Sequence, residues 1–412
     1  MIEHGDRARR RSYEPVSGFA RKLAGGIKAA PKPMEVMAEG VVAEETAEIP
    51  SEKIAMRGGH GNYNQAPLSG GEIDDNALYS KFLNYTGNIE SRIRDACKPS
   101  SWERHIIQVR DHNGRYVFDA LLTVERNGMP VAMLKTYTDG RAVFIPGFYG
   151  DQNTQGDYTL RVVSVNGVRI QRRFDVDDFG VWWNITLPHD YYVPDRVGLD
   201  IMFVIDTTGS MADEINQLKK TIHEIAARLS DLPRHPDIRF GMVIYRDRGD
   251  AYLTRVYDFV DSVDDFSLKL STVTASGGGD MPEDLNAALE DAIERASWRI
   301  NEPCVRVIVL VADAPPHMDY GEQYDYRIAA LRSQELGIKI FPIASSGLDD
   351  RGEYIFRQLA LLTMGRFVFI TYGGSTPHHV SPSDYTVQTL HELIIRLISR
   401  EFEVLGGGQM NK

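Results

Sequence analysis

The sequence predicts an α/β protein: a doubly wound, mostly parallel sheet, preceded by an antiparallel β-sandwich and an N-terminal arm without regular structure. Three observations carry this expectation. Beyond Pro188, the apolar runs "LDIMFVI", "IRFGMVIY", "VRVIVLVA", "IKIFPIAS" and "RFVFITY" alternate with stretches of helical period. Strands apolar on both faces and separated by helices make a parallel sheet covered on both sides. Between His105 and Pro188 the texture is different: short alternating runs are broken at Asn113-Gly114, Asn127-Gly128, Asp139-Gly140 and Asn166-Gly167. Such dipeptides supply the positive φ that tight hairpin turns demand. Before about residue 75, Gly, Ala, Pro, Glu and Met predominate without any period, as in "AAPKPMEVMAEG" and "GGHGNYNQAPLSGGE". That composition buries too little apolar surface to fold.

The elements follow in order. Residues 1–75 form the disordered or linker arm, and 76–104 a short helical lead-in. About seven short strands over 105–190 make the sandwich. The α/β domain spans 197–402, and 403–412 are a flexible tail. In its first helix Met211, Ile215, Leu218, Ile222, Ile225 and Leu229 step by four and three along one face. Leu285, Leu289, Ala292 and Ala296 repeat that pattern in a second helix.

Composition narrows the function classes. The chain has 412 residues, 42% hydrophobic and 25% charged, which suits two or three domains. Its net charge of -12 disfavours nucleic acid and anionic membranes, both of which repel an acidic surface. The basic cluster from Arg7 to Arg11 reads as a solvated tail. Cys97 and Cys304 stand too far apart for a metal-ligand spacing and are too few for a disulfide scaffold. No apolar run reaches the ~18 residues of a membrane span, and no hydrophobic signal-peptide core opens the chain. As written, the sequence predicts a cytoplasmic protein; an export signal upstream of its first residue would make it extracytoplasmic.

In sheets of this kind ligands sit at the carboxyl ends of the strands. Three loops there carry oxygen-bearing side chains. The first is Asp206-Thr207-Thr208-Gly209-Ser210, the second "TASGGGDMPED" with Asp280, and the third "VADAPPH" with Asp313. Each has a plainer reading. Ser210 suits an N-cap with Asp213 in an imperfect capping box. Asp280 suits the start of a helix near Pro282, and Asp313 suits a turn. Together, however, three carboxylates at one sheet edge repel one another unless a cation lies among them. Carboxylate and hydroxyl are hard ligands, suited to Mg2+, Mn2+ or Ca2+ and not to zinc.

The stretch "FVIDTTGSM" resembles the metal-ion-dependent adhesion site of von Willebrand factor type A domains, whose signature is Asp-x-Ser/Thr-x-Ser after the first strand. Asp206, Thr208 and Ser210 occupy its positions. Gly277 to Glu283 and "YRDRGD" (Tyr245 to Asp250) are similar to a subgroup of that family. The likeness places Asp280 at or near a family threonine and Asp313 at the aspartate after the fourth strand. It covers about residues 197–402 and departs from the family in Asp280 and in "ADAPPH". More loosely, "VRDHNGRYVFDALLTVE" and "TDGRAVFIPG" are similar to carboxypeptidase-regulatory-like sandwiches.

The resemblance implies a protein-binding module for adhesion or assembly. Its metal, at Asp206, Thr208, Ser210, Asp280 and Asp313, captures an Asp or Glu carboxylate of a protein partner. The alternative is a hydrolase or phosphoryl-transfer enzyme acting through a metal-bound water. That needs a general base, and the motif loops offer only His317. No phosphate-loop Gly-Lys-Ser/Thr, Gly-x-Ser-x-Gly elbow or paired zinc histidines occur, and "DDFG" lacks the other kinase motifs. The expectation is binding, without catalysis.

Overall fold

A computed structural model describes residues 68–150, 157–165, 167–174, 182–279, 281–345, 347–371, 378–380, 385 and 388–405. The predicted fold class is observed. A large sheet has the strand order β11-β10-β9-β12-β13-β14-β1-β15, with β11 (Thr254–Val260) at one edge, antiparallel to β10. Its parallel centre is β9 (Gly198–Asp206), β10 (Asp237–Tyr245), β12 (Cys304–Ala312), β13 (Ile338–Ala344) and β14 (Phe367–Thr371), all apolar runs picked out in the sequence. β12 is buried at every residue. Helix α3 (Ala212–Ser230) lays the Ile215, Leu218, Ile222, Ile225 and Leu229 stripe into the core, with Met211 just ahead of it. α5 (Leu285–Glu290) buries Leu285 and Leu289, and one π turn continues it through Ala292; the backbone is already extended at Ala296. Helices α4 (Val263–Ser271), α6 (Tyr326–Leu336), α7 (Asp350–Leu362) and α8 (Leu390–Leu405) complete the domain. Among the described residues no helix is long and apolar enough to cross a membrane.

The sheet extends further toward the N-terminus than the sequence suggests. β1 (Ser69–Ile73) falls inside the stretch expected to be linker, yet it pairs antiparallel with β14 and with β15 (Gln388–Thr389). Its glycines serve close approach: a Cβ on Gly70 would lie 2.3 Å from the Phe369 carbonyl oxygen. Glu72 on β1 then meets Arg366 (3.3 Å) and Arg396 (3.2 Å), and also Arg400. Residues 1–67 lie outside the described residues. α8 runs to Leu405, three residues into the predicted tail, and residues 406–412 lie outside the described residues.

The lead-in helices α1 (Tyr79–Asn88) and α2 (Ser91–Cys97) pack on the α/β domain. Asp75, just before them, is 2% exposed and forms a two-pronged pair with Arg357 of α7, at 2.6 and 2.9 Å. Tyr85 stacks on the same guanidinium at 3.9 Å. Glu353 reaches Arg357 at 3.1 Å and also holds His378, which is buried rather than solvated as a loop histidine would be.

The β-rich segment has seven strands among the described residues, in two sheets. β2 (His105–Arg110), β5 (Arg141–Phe144) and β8 (Trp182–Thr186) form one. β3 (Leu121–Arg126), β4 (Met129–Lys135), β6 (Tyr158–Val163) and β7 (Arg169–Phe174) form the other. Phe144, Tyr158, Phe174 and Trp183 stack between them as an aromatic core. The arrangement is not wholly antiparallel, since β8 runs parallel to β2. The turns divide in the same way. Asn127-Gly128 joins the paired strands β3 and β4, whereas Gly114 and Gly140, both at positive φ, lie in connections between the two sheets. Gly167 also takes positive φ between β6 and β7; Asn166 lies outside the described residues.

A buried polar seam ties the sandwich to the α/β domain. Asp119, at φ 58°, pairs with Lys135 (2.9 Å) and with Arg306 of β12 (3.0 Å). Glu401 of α8 takes Lys339 and Thr138 at 2.6 Å each, and Tyr149 donates to Gln334 at 2.5 Å. A further buried acid, Asp200, lies near the start of β9 between Arg239 (2.7 Å) and Arg299 (2.7 Å). Burial alone would raise it, but the two guanidiniums hold its carboxyl below the ordinary 3.8. Its contribution to stability is therefore complete above about pH 4 and is lost as pH falls through the lower folded value. Urea titrations at pH 5 and pH 2.5 should show that loss, and Asp200→Asn should flatten it.

Candidate functional site

β9 lies in the middle of the parallel sheet and delivers Asp206 to its carboxyl edge. Asp206 is fully buried. Its Oδ1 accepts from the backbone N–H of Thr208 (2.9 Å) and from the Thr208 hydroxyl (2.8 Å), while its Oδ2 is buried with no hydrogen-bond partner. Burial pushes the carboxyl up to about 7; the Thr208 hydrogen bonds oppose this and the charge of Asp313 adds to it. The alternation of the turn has a simple basis. Thr207 faces β10, donating to the Tyr245 carbonyl at 2.8 Å and meeting the Tyr252 hydroxyl at 2.7 Å. The residues on either side are thereby freed for the opposite face.

Thr208 Oγ1 and Ser210 Oγ stand 3.4 Å apart. Ser210 is exposed and does not cap the helix: α3 starts at Ala212 after a short 3-10 turn, with no side-chain cap. It borders the same cleft as Asp313 instead. Asp313, immediately after β12, is 3% exposed, and burial raises its carboxyl although the nearby Ser210 hydroxyl opposes this. Thus four of the five residues expected at the site, Asp206, Thr208, Ser210 and Asp313, come to one place. Asp280 lies outside the described residues. The cap it was weighed for belongs to Asp284, which accepts from Ala287 N–H at 3.1 Å.

The glycine loop closes against this turn. Gly277 and Gly278 take φ of 81° and 71°, and the Gly277 carbonyl accepts from Gly209 N–H at 3.1 Å. A Cβ on Gly278 would lie 3.0 Å from Cβ of Thr208 and 3.3 Å from Glu283 Oε1. Only glycine leaves that passage open.

Glu283 is the residue that the sequence reading quoted but did not assign to the site. It is 3% exposed, and its backbone is fixed between the Pro315 carbonyl (3.1 Å) and His317 N–H (3.2 Å). Its Oε2 is buried without a partner. Burial first, then the charges of Asp206, Asp247, Asp250 and Asp313, push it up to about 8. A cleft of about 380 Å3, bordered by Thr208, Ser210, Gly278, Met281, Glu283 and Asp313, opens over these groups.

The rim is built from the "YRDRGD" and "APPHMDYGE" loops. Arg246 is buried, donates to Ser276 Oγ at 2.7 Å and lies over the Tyr252 ring. Asp247 accepts from the Tyr320 hydroxyl at 2.9 Å. His317 stacks on Tyr320, with centroids 3.7 Å apart, and its nitrogens lie 3.3 Å from Asp247 and 2.8 Å from Asp319. The ring face and Nδ1 are thus engaged in the loop scaffold, while Nε2 is buried without a hydrogen-bond partner.

Among the described residues, no three His, Cys, Asp or Glu side chains converge closely enough to hold a metal by themselves. A cation here would need the hydroxyls of Thr208 and Ser210 as further donors. With the orphaned oxygens of Asp206 and Glu283, they make a donor set that fits a hard divalent cation and leaves part of it open to solvent.

Residues 200–334 match the family model "von Willebrand factor A domain". Alpha-protein kinase vwkA of Dictyostelium discoideum is 30% identical over 173 residues, 41% of this chain and 27% of the kinase. The von Willebrand factor A domain-containing protein 7 of Rattus norvegicus is 34% identical over 116 residues, 28% of this chain and 12% of that protein. Among solved structures, the conserved hypothetical protein BatB from Bacteroides thetaiotaomicron aligns with a TM-score of 0.34 at 15% identity, covering 51% of this chain and 100% of that one. The chain thus spans about a quarter or less of the length of these curated relatives. Residues 200–334 of this chain are a von Willebrand factor A domain.

Proposed function

We propose that the chain is a divalent-cation-dependent protein-binding module whose von Willebrand factor A domain works as a metal-ion-dependent adhesion site. Asp206, Thr208, Ser210 and Asp313, with Asp280 on the neighbouring loop, hold Mg2+, and Mn2+ or Ca2+ suit the same oxygens. Bound there, the ion supplies a Lewis-acidic position for a partner's Asp or Glu side chain. The observation that carries this reading is the pair of buried, unpartnered carboxylate oxygens, on Asp206 and Glu283, beneath a solvent-open cleft. Buried acids without partners are costly unless a cation compensates them. Glu283 belongs in the set as a fourth acid, which leaves room for only some of the carboxylates to touch the ion directly. Asp280 and Asp313 are the ones we assign to act through water. The sandwich, read as carboxypeptidase-regulatory-like, supports the domain as a rigid base.

Loading the site relieves the repulsion and stabilises the fold by RT ln(1 + [L]/Kd), about 2.7 kcal/mol at a hundredfold excess over Kd. Thermal melts should rise with millimolar Mg2+ and fall back with EDTA, and Asp206→Ala should remove the response. A full response in Asp206→Ala would place the cation elsewhere. Glu283→Gln separates a subsidiary point. Above about pH 8, where the Glu283 carboxyl ionises, it should raise the melting temperature of the cation-free protein by removing a crowded charge, and it should shrink the Mg2+ increment.

A further inference from the structure

The outward face of the smaller sandwich sheet carries a second cleft, of about 300 Å3, on a different domain from Asp206. Register builds it. Gln108 of β2 pairs with Arg141 of β5 and with Asn184 of β8, so the three project from one face, and Trp182 and Arg110 lie two residues along their strands. Ile106 and Val143, on the same face, are buried in the core shared with the α/β domain. Only the Gln108 to Arg110 end remains open. Its volume lies at the lower end of ligand pockets.

Three features of this cleft ask for a ligand. Trp182 is 47% exposed and offers a flat apolar platform on an edge strand. The Asn184 side-chain amide has no hydrogen-bond partner among the described residues, and Gln108 is steadied by its Nε2 donating to the Asp139 carbonyl at 3.0 Å, which keeps its own carbonyl oxygen as an acceptor. Charge is the third. Arg141 is neutralised by Asp139. Arg110 meets only the Tyr116 ring, at 5.1 Å, and has no carboxylate partner among the described residues.

A sugar ring lays its C–H face on an indole while its hydroxyls exchange hydrogen bonds with carboxamides. A carboxylate on that ring meets a free guanidinium in a two-pronged bond. We propose that this cleft binds an acidic saccharide, with a hexuronate ring on Trp182 and its carboxylate on Arg110. The free positive charge selects the uronate over a neutral sugar, and the amide floor selects a hydroxylated ring over an acidic peptide.

The test is isothermal titration of the full chain with tetragalacturonate and tetraglucuronate, with a neutral glucose tetramer and a tetraglutamate peptide alongside. A uronate should bind best. Trp182→Ala should weaken it roughly tenfold, the worth of one aromatic contact, and Trp182→Phe should keep most of the affinity. Arg110→Met should erase the preference for charged over neutral tetramer. Should Trp182→Ala melt early, Trp182→Phe and Arg110→Met carry the comparison. No uronate binding at millimolar concentration would overturn the proposal, as would tetraglutamate binding equally well. So would affinity indifferent to Arg110→Met, or a Trp182-dependent self-association that sugar leaves unchanged.

Discussion

Asp75→Ala should cost about 3–5 kcal/mol of stability, the loss expected when one member of a buried ion pair is removed. Arg357 is 1% exposed, and without Asp75 its guanidinium keeps Glu353 as its acidic partner and the face of Tyr85. Desolvation is the larger influence on Asp75 itself: burial raises its carboxyl although Arg357 pulls it down. The pair is therefore expensive to break and weak evidence for net stabilisation. Replacing Asp75 and Arg357 together, Asp75→Leu with Arg357→Met, should recover only part of the loss, because the buried Glu353 then keeps only its histidine contacts. Urea midpoints of the three proteins at neutral pH decide it. A midpoint for Asp75→Ala within 0.5 kcal/mol of wild type would mean that the lead-in is merely tethered to the domain.

Asp119→Ala should have an effect of the same order, about 3–5 kcal/mol, and for a related reason. Arg306 has no exposed side-chain surface, and both it and Lys135 take the same carboxylate. Asp119 sits in the sandwich and Arg306 in the central strand of the α/β domain, so the loss should appear in both domains at once. Near-ultraviolet circular dichroism follows the aromatic core of the sandwich, and tryptophan emission includes Trp298 of the α/β domain. The two transitions should coincide in wild type. They should still coincide in Asp119→Ala, at a lower midpoint, and separate transitions there would contradict a loss shared by both domains.

These contacts explain where the sequence was legible and where it was not. β9, β10, β12, β13 and β14 announced themselves because strands buried on both faces must be apolar throughout. That Asp206, Thr208 and Ser210 lie together was legible because they alternate along the turn that leaves a strand end. β1 was not. Its "SGGEI" reads as linker in isolation, and its glycines make sense only against the carbonyl of Phe369, almost three hundred residues away in sequence. Ser210 looked like a helix cap because Ser commonly fills that role, and the cap was ruled out by the 3-10 turn that precedes α3. Glu283 was in view but unassigned, since its burial depends on two backbone hydrogen bonds to the Pro315 to His317 loop that no spacing rule announces.

Water-proton relaxation of Mn2+ added to the 412-residue chain tests metal-mediated capture most directly. Wild type should bind the ion with enhanced relaxation, because water still occupies an open position. Acetate or a glutamate-containing peptide should lower that enhancement by displacing the water, and Asp206→Ala should show neither the binding nor the response. An Asp206→Ala protein that binds Mn2+ with the same affinity, or a wild-type enhancement indifferent to every added carboxylate, would contradict a metal-mediated capture of partner acids.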